Sequence, residues 1–384
     1  MREAVIVEAV RTPIGRRNGK LKDVHPVVLG SLVLKEVVKR AGVEPGLVDD
    51  VVFGCVSQVG EQSLNVGRNA WLTAGFPVTT PATTVDRQCG SSQQAVHFAA
   101  SLVQSGVCDI TIAGGVESMS RVPMGSNAIQ PGTPFPPELT ELYDLVPQGI
   151  SAELMARKYG ISRRAMDEFS VESHHRAHEA TEKGYMRSQI LPVDISNGQT
   201  EVFSRDEGIR ANASYEATAA LQPAFNPEHN ITAGNSSQIS DGAAAVMIMS
   251  LDKANELGIR PRARIRAMAV VGTDPVLMLE GPIPGTAAVL KKAGLELGSI
   301  DLFEVNEAFA SVVLAWQKET GADLEKTNVN GGAIAMGHPL GASGAILMTR
   351  LLHELERRDG RYGLETMCCG GGLGTATIID RVVE

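Results

Sequence analysis

The sequence repeats itself. Val33-Leu34-Lys35 through Ala41-Gly42, then Val48-Asp49 and Val51, return as Val289-Leu290-Lys291 through Ala293-Gly294, then Ile300-Asp301 and Phe303. From Ala41 and Ala293 onward the two blocks run without a gap at an offset of 252 residues. Each block is an amphipathic helix, a glycine stop and a short apolar strand. The strand ends at a polar, turn-prone site, Gly54-Cys55 in one block and Asn306-Glu307 in the other. We read this as an internal duplication, which commits the chain to two similar halves.

The rest of the pattern agrees. A strand over Val5 to Val10 precedes a helix over roughly Pro26 to Arg40 and a strand at Val51 to Gly54. A second helix leads into a strand from Asp109 to Ala113 that ends in Gly114-Gly115. Strands alternating with helices imply βαβ units and a mostly parallel sheet. Residues 119–240 differ in character, with prolines at 131, 134, 136 and 137 and a long helix starting at Ser162. They read as an insertion able to lie over a site as a lid. Asp241 to Val246 returns to core-like sequence. The expected division is 1–118 plus about 241–258, an inserted 119–240, and 259–384.

Composition narrows the function classes. A formal net charge of −9 offers no basic footprint for nucleic acid or acidic membranes. No apolar run reaches membrane-spanning length, and no targeting segment precedes the first strand. Cysteines 55, 89, 108, 368 and 369 are odd in number and scattered, which suits a reducing, cytoplasmic compartment.

Cys89 sits in Thr83-Thr84-Val85-Asp86-Arg87-Gln88-Cys89-Gly90-Ser91-Ser92, at the mouth of a helix whose apolar stripe runs from Ala95 to Val103. Free N–H groups and the helix dipole favour thiolate there, although a free cysteine is more often plain core. His338 lies in a glycine-rich turn, Asn330 to Gly344, before another helix, where it is poised to meet a ligand or to act as a cap. Cys368-Cys369 precede Gly370-Gly371-Gly372, where bare backbone can approach a ligand or form a β-bulge. Asn306-Glu307 follow a strand, and Asn306 could equally cap the next helix. His174, His175 and His178 lack further metal ligands and read as a solvated helix face. There is no dinucleotide fingerprint, phosphate loop or serine-hydrolase elbow.

Together, Cys89 in Asp-Arg-Gln-Cys-Gly-Ser, Asn306 in Val-Asn-Glu-Ala-Phe-Ala, His338 in Gly-His-Pro-Leu-Gly and Cys368 in Cys-x-Gly-Gly-Gly-x-Gly resemble the thiolases. The likeness spans nearly the whole chain. It implies an α/β thiolase fold, two βαβαβαββ-type halves layered as α/β/α/β/α with an inserted loop domain. It also implies thiolytic cleavage of 3-ketoacyl-CoA to acetyl-CoA and a shortened acyl-CoA. By this resemblance Cys89 is the nucleophile and His338 its base, which also faces the thioester oxygen. Asn306 holds a water beside His338, and Cys368 moves a proton at the α-carbon of acetyl-CoA. The backbone N–H groups of Cys89 and Gly370 form an oxyanion hole, and Ser237 and Arg210 lie near the pantetheine arm and the adenine of CoA. The resemblance further implies CoA as co-substrate, no metal, and a homodimer or homotetramer.

Two departures bear on subtype. Gln238 stands where acetoacetyl-specific members usually carry glycine, and Gly115-Val116-Glu117-Ser118-Met119-Ser120-Arg121 looks more like the degradative members. A degradative 3-ketoacyl-CoA thiolase is therefore expected, able to take bulky or branched chains. An acetoacetyl-CoA thiolase, condensing two acetyl-CoA, is the alternative, and a non-catalytic acyl-CoA-binding relative is more remote. A ketoacyl synthase-like enzyme is disfavoured because its cysteine pairs with histidines, not a second cysteine. Cys369 has no assigned function.

Overall fold

A computed structural model of the chain describes residues 2–129, 132–196 and 201–382. Pro131 and the terminal Val383-Glu384 therefore lie outside the described residues. In chain order the elements used below are β1 (Ala4–Arg11), α1 (Pro26–Ala41), β2 (Asp50–Gly54), β3 (Ala82–Val85), α2 (Ser91–Ser105) and β4 (Ile110–Ser118). There follow α3 (Gln148–Lys158), α4 (Arg163–Glu182), β5 (Ser240–Ser250), β6 (Ala263–Gly272), α5 (Pro282–Ala293) and β7 (Leu302–Val305). The chain closes with α6 (Ala310–Thr320), α7 (Ser343–Arg358), β8 (Tyr362–Cys369) and β9 (Leu373–Arg381).

The 252-residue register survives in the backbone. Helix α1 begins on Pro26 and stops at Gly42, which adopts φ 66° and returns its N–H to the last helical carbonyls. A 3-10 turn over Pro45–Leu47 then leads into β2. Helix α5 begins on Pro282, stops at Gly294 with φ 66°, and is followed by a 3-10 turn over Leu297–Ser299 and β7. Helix α5 has 12 residues against 16 in α1, so about one turn is missing, and the early part of the repeat is offset accordingly. Even single bonds recur. Asp49 Oδ2 accepts the backbone N–H groups of Asp109 and Ile110 at the start of β4, and Asp301 Oδ2 accepts those of Arg361 and Tyr362 at the start of β8.

Strand order across the joined sheet is β7-β8-β9-β6-β1-β5-β4-β2-β3. The halves meet edge to edge through Val5 with Arg264 and Ile6 with Ala263. The expectation of a mostly parallel sheet is wrong. Only β2–β3, β2–β4 and β7–β8 are parallel, and the remaining pairs among these strands are antiparallel. Each half ends in a strand that returns beside its neighbour, as β9 does through a short turn after β8, and such a return reverses direction without changing the hydrophobic pattern. The sequence also ended the 109–113 strand too early. Gly114 and Gly115 lie inside β4, paired with Ala245 and Ala244.

The layers follow from which side chains are apolar. Leu29, Val33, Leu34 and Val37 of α1 cover one face of the first half's strands. The other face meets a central layer in which Val96, Ala99 and Val103 of α2 lie with Ile346, Leu351 and Leu355 of α7. Helices α5 and α6 cover the outer face of the second half through Val289, Val313 and Trp316. Burying each large apolar side chain is worth roughly 1.5–3 kcal/mol, so the central layer is a principal source of cohesion between the halves.

Close backbone contact joins the halves at the strand ends. A Cβ on Gly115 would lie 2.1 Å from the carbonyl oxygen of Gly341, and one on Gly54 would lie 2.6 Å from the same atom. Backbone on both sides leaves nothing to rotate away. Gly115→Ala should therefore destabilise the chain by about 3 kcal/mol or more, measured by denaturant unfolding. Gly298→Ala, whose Cβ meets nothing within 4 Å, should be neutral within about 0.5 kcal/mol. Equal effects of the two substitutions would show that this contact does not hold the halves together.

Candidate active site

Cys89 is presented by a strained turn. Gln88 adopts φ 49°, outside the usual range for a side-chain-bearing residue, and its N–H is held by Asp86 Oδ1 at 2.7 Å. Arg87 N–H donates to Ser91 Oγ at 2.9 Å, so the first helical residue of α2 locks the turn. The thiol is 4% exposed and shares a buried cluster with Val56, Met119, Leu340 and Met367. Burial pushes it up to about 11, with Asp86 adding to the rise. The N–H groups of Gly370 and of Cys89 itself, and the carboxamide of Gln148, pull the other way. The sequence expectation of a favoured thiolate names a real effect, but loss of solvent outweighs it in the free chain.

Gly370 opens a three-residue turn between β8 and β9, with Cys369 paired to Leu373. Gly371 and Gly372 adopt φ 81° and 78°. Two consecutive left-handed residues explain the glycines, and the turn leaves the Gly370 amide free to face Cys89 Sγ. No bulge forms at Cys368 or Cys369. The two thiols alternate across the strand. Cys368 joins Ala308, Phe309 and Ile334, whereas Cys369 lies under Gly90, its Sγ 2.7 Å from where a Cβ would stand. Burial raises Cys368 well above the ordinary thiol value, and the Cys89 and Cys369 thiols push it further.

His338 does not cap a helix. Its Nδ1 is 2.6 Å from Ser343 Oγ and its Nε2 is 3.3 Å from Asn306 Nδ2. Ser343 spends its own proton on the Pro339 carbonyl at 2.9 Å. It can therefore only accept from the ring, which puts the proton on Nδ1 and leaves the Nε2 lone pair to accept from Asn306. Burial pulls the imidazole down to about 4, so the ring is neutral near pH 7. Asn306 does not cap α6 either. Phe309 occupies that position, and Asn306 N–H is fixed by Thr366 O at 3.1 Å, two residues before Cys368.

The loop carrying His338 is braced from three directions. Its N–H donates to Gln238 O at 3.0 Å, and the Gln238 carboxamide donates to the carbonyls of Gly208, Ile334 and Ala335. Glu307 is buried and accepts from Ser173 Oγ on α4, from Asn328 and from Ile334 N–H. Glu117 accepts the N–H groups of Val56, Ser57 and Gly341, and the Gln62 carboxamide. Ser237 is half-buried beside this brace, its N–H on Ala308 O. Arg210 is exposed, and its backbone N–H donates to His174 Nδ1 at 3.1 Å. His174 is thus a buried acceptor, not part of a solvated face, and burial pulls it down to about 4.

The structure therefore brings Cys89, Gly370 and Cys368 together, and joins Asn306 to His338 by a hydrogen bond. Ser237 is half-buried and Arg210 is exposed. Sequence reading missed Gln148, Ser343 and Glu117. Ser343, five residues after the histidine in the glycine-rich turn, was the one with a local signal. Among the described residues no group of three or more metal-ligating side chains converges, and no helix is long and apolar enough to cross a membrane.

Comparison with known proteins places the chain in a family. Residues 4–252 match the family model for the thiolase N-terminal domain, and residues 259–381 that for the C-terminal domain. The chain is 47% identical to the steroid 3-ketoacyl-CoA thiolase FadA6 of Mycobacterium tuberculosis, over 100% of this chain and 95% of that protein. It is 44% identical to a 3-ketoacyl-CoA thiolase of Bacillus subtilis, over 99% of this chain and 100% of the other. The crystal structure of the Bacillus anthracis acetyl-CoA acetyltransferase superposes with a TM-score of 0.92 at 41% identity, covering 100% of this chain and 99% of that one. With both halves and the whole length accounted for, the chain belongs to the thiolase family.

Proposed function

We propose that the chain is an acyltransferase that cleaves 3-ketoacyl-CoA with CoA, releasing acetyl-CoA and an acyl-CoA two carbons shorter. The observation that carries this reading is the His338 tautomer. Ser343 and Asn306 fix the ring so that Nε2 is its one basic nitrogen, and Asn306 itself is anchored on Thr366, two residues before Cys368.

Nε2 takes the Cys89 proton as Sγ bonds to the C3 carbonyl carbon. The alkoxide so formed is held by the N–H groups of Cys89 and Gly370. The C2–C3 bond then breaks, its electron pair passes to C2, and Cys368 delivers a proton there to give acetyl-CoA. His338 and a water held by Asn306 face the thioester oxygen while the enolate exists. The raised Cys368 suits this step, because a thiol that is protonated at rest is ready to donate. Free CoA, deprotonated by Cys368, attacks the Cys89 thioester and restores the thiol. CoA serves as co-substrate, and no metal takes part in these steps.

On this reading 119–240 is a loop domain that covers the site and meets CoA near Ser237 and Arg210, between halves at 1–118 plus about 241–258 and 259–384. The degradative subtype is supported by relatives named 3-ketoacyl-CoA thiolases and by Gln238, whose carboxamide occupies space a glycine would leave open. Strand β3 ends the sheet with an open edge just before Cys89, which supports a homodimer or homotetramer. Five free thiols support work in a reducing cytoplasm.

Cys89→Ala should abolish turnover and covalent labelling by a radiolabelled acyl-CoA. Label retained on that variant would exclude Cys89 as the nucleophile. Ser343→Ala should release the tautomer and lower kcat by about 10-fold or more, within the range of general-base effects. For the native chain, kcat/KM should hold as pH falls below 6.5 and drop only as His338 is protonated near pH 4. An acid limb at the ordinary histidine value would show that burial does not set this base. Finally, 3-ketoacyl-CoA substrates longer than four carbons should be cleaved, and activity confined to acetoacetyl-CoA would reverse the subtype.

A further inference from the structure

One polar side chain at the nucleophile has no part in the mechanism above. Gln148 is the first residue of α3, in the segment between the halves, and its carboxamide reaches Cys89 Sγ beside the Gly370 amide. Its Nε2 stands 3.3 Å from where a Cβ on Gly370 would be, and Gln88 Oε1 stands 3.2 Å from the same point. Gln88 turns its own amide nitrogen towards Asp86, at 3.5 Å from each carboxylate oxygen. Of the two glutamines over Gly370, Gln148 is therefore the one whose donor faces the sulfur.

The segment that presents Gln148 is fixed. A Cβ on Gly149 would lie 2.2 Å from the Phe225 ring, so that ring lies against the first turn of α3. Phe225 meets Phe309 edge to face at 6.4 Å. Ser151 Oγ donates to Val276 O at 2.7 Å, and Glu153 accepts from Asn230 N–H at 2.8 Å. A donor held this way costs little to order when charge develops.

We propose that Gln148 is a further catalytic residue, a side-chain donor to the alkoxide that forms at C3 when Cys89 attacks. The alkoxide oxygen sits on the carbon bonded to Sγ, one atom beyond the sulfur that the Gly370, Cys89 and Gln148 donors already surround. Once Sγ is bonded to carbon it is a poor acceptor, and the Gln148 N–H turns to the oxyanion. This assignment rests on the thiolytic reading of the same site.

The test compares Gln148→Met, which keeps length and removes the donor, with Gln148→Glu, which keeps shape and adds negative charge. Both are assayed by 3-ketoacyl-CoA thiolysis across pH and by iodoacetamide alkylation of Cys89. Asp86, which acts on Cys89, and Cys368 and Cys369, on which Cys89 acts, are unchanged in both. Both variants should lose 10²–10³-fold in kcat, as removal of one oxyanion donor does elsewhere, with KM within about threefold. The deficit should persist at alkaline pH, where alkylation of the Gln148→Met variant matches the native rate. A deficit that closes as pH rises would make Gln148 a thiolate-holding residue only and overturn the assignment. An unchanged kcat, or a loss that follows a lowered unfolding midpoint in both variants, would also overturn it. Failure of the parent reading is separate: it is a native chain inert towards every 3-ketoacyl-CoA supplied.

Discussion

A buried carboxylate ties the molecule together where its halves meet. Glu117, at the end of β4, is fully buried and accepts from Val56 and Ser57 after β2, from Gln62, and from Gly341 in the loop that carries His338. Burial raises its titration and the four donors lower it, with burial the larger effect. Each such bond to a charged acceptor is worth roughly 1.5–3 kcal/mol, and losing one strands the rest of a desolvated group. The two central helices add a second tie, for Ala345 N–H at the start of α7 donates to Ser92 Oγ at the start of α2. The Cys89 turn belongs to the first half and the histidine loop to the second. The Gly341–Glu117 and Ala345–Ser92 bonds both cross between them, as do the bonds of the Gln93 carboxamide to Thr375 and Thr377.

That dry junction also sets the protonation state. Cys89 near 11 and His338 near 4 titrate in the wrong order for a resting thiolate–imidazolium pair. Burial raises the thiol and lowers the imidazole, so it favours the uncharged form of each. On the proposed mechanism the free chain therefore holds a neutral pair, and the proton moves in step with formation of the S–C bond. Negative charge then appears on an oxygen that preset donors already face. Donors at Sγ matter more here than in a site where the thiolate is stable beforehand.

How much of this the sequence disclosed depends on whether the signal was local. The 252-residue repeat is local in each half, because a helix, a glycine with positive φ and a strand need only their own residues, and it placed the first helix and both glycine stops within a residue. Strand direction was not legible, since an apolar run reads the same in a parallel or an antiparallel pair. Gly114-Gly115 read as a strand end because the reasons for glycine there, the Ala244 carbonyl for Gly114 and the Gly341 carbonyl for Gly115, lie far away in the sequence. The four thiolase motifs pointed to Cys89, Asn306, His338 and Cys368 as the residues of interest. Gln148 was invisible for the opposite reason: it begins an ordinary helix in a polar stretch, and only the fold sets it over Cys89.

Cys368 and Cys369 show how the same fold divides labour between neighbours with identical chemistry. Period-two alternation sends Cys368 towards Phe309 and Ile334, on the side of Asn306, and sends Cys369 beneath Gly90. There the Gly90 N–H and Thr375 hydroxyl engage its sulfur. The space under Gly90 is small, with Thr375 Oγ1 3.0 Å from the same Cβ position, so a small polarisable side chain fits where a longer one would displace the Cys89 turn. Cys369 is then explained by packing under the nucleophile turn, which on the proposed mechanism leaves Cys368 to face the substrate carbon. One residue's shift in register would exchange the two thiols and take the proposed proton donor out of the site, and the eight-pair ladder between β8 and β9 resists that shift.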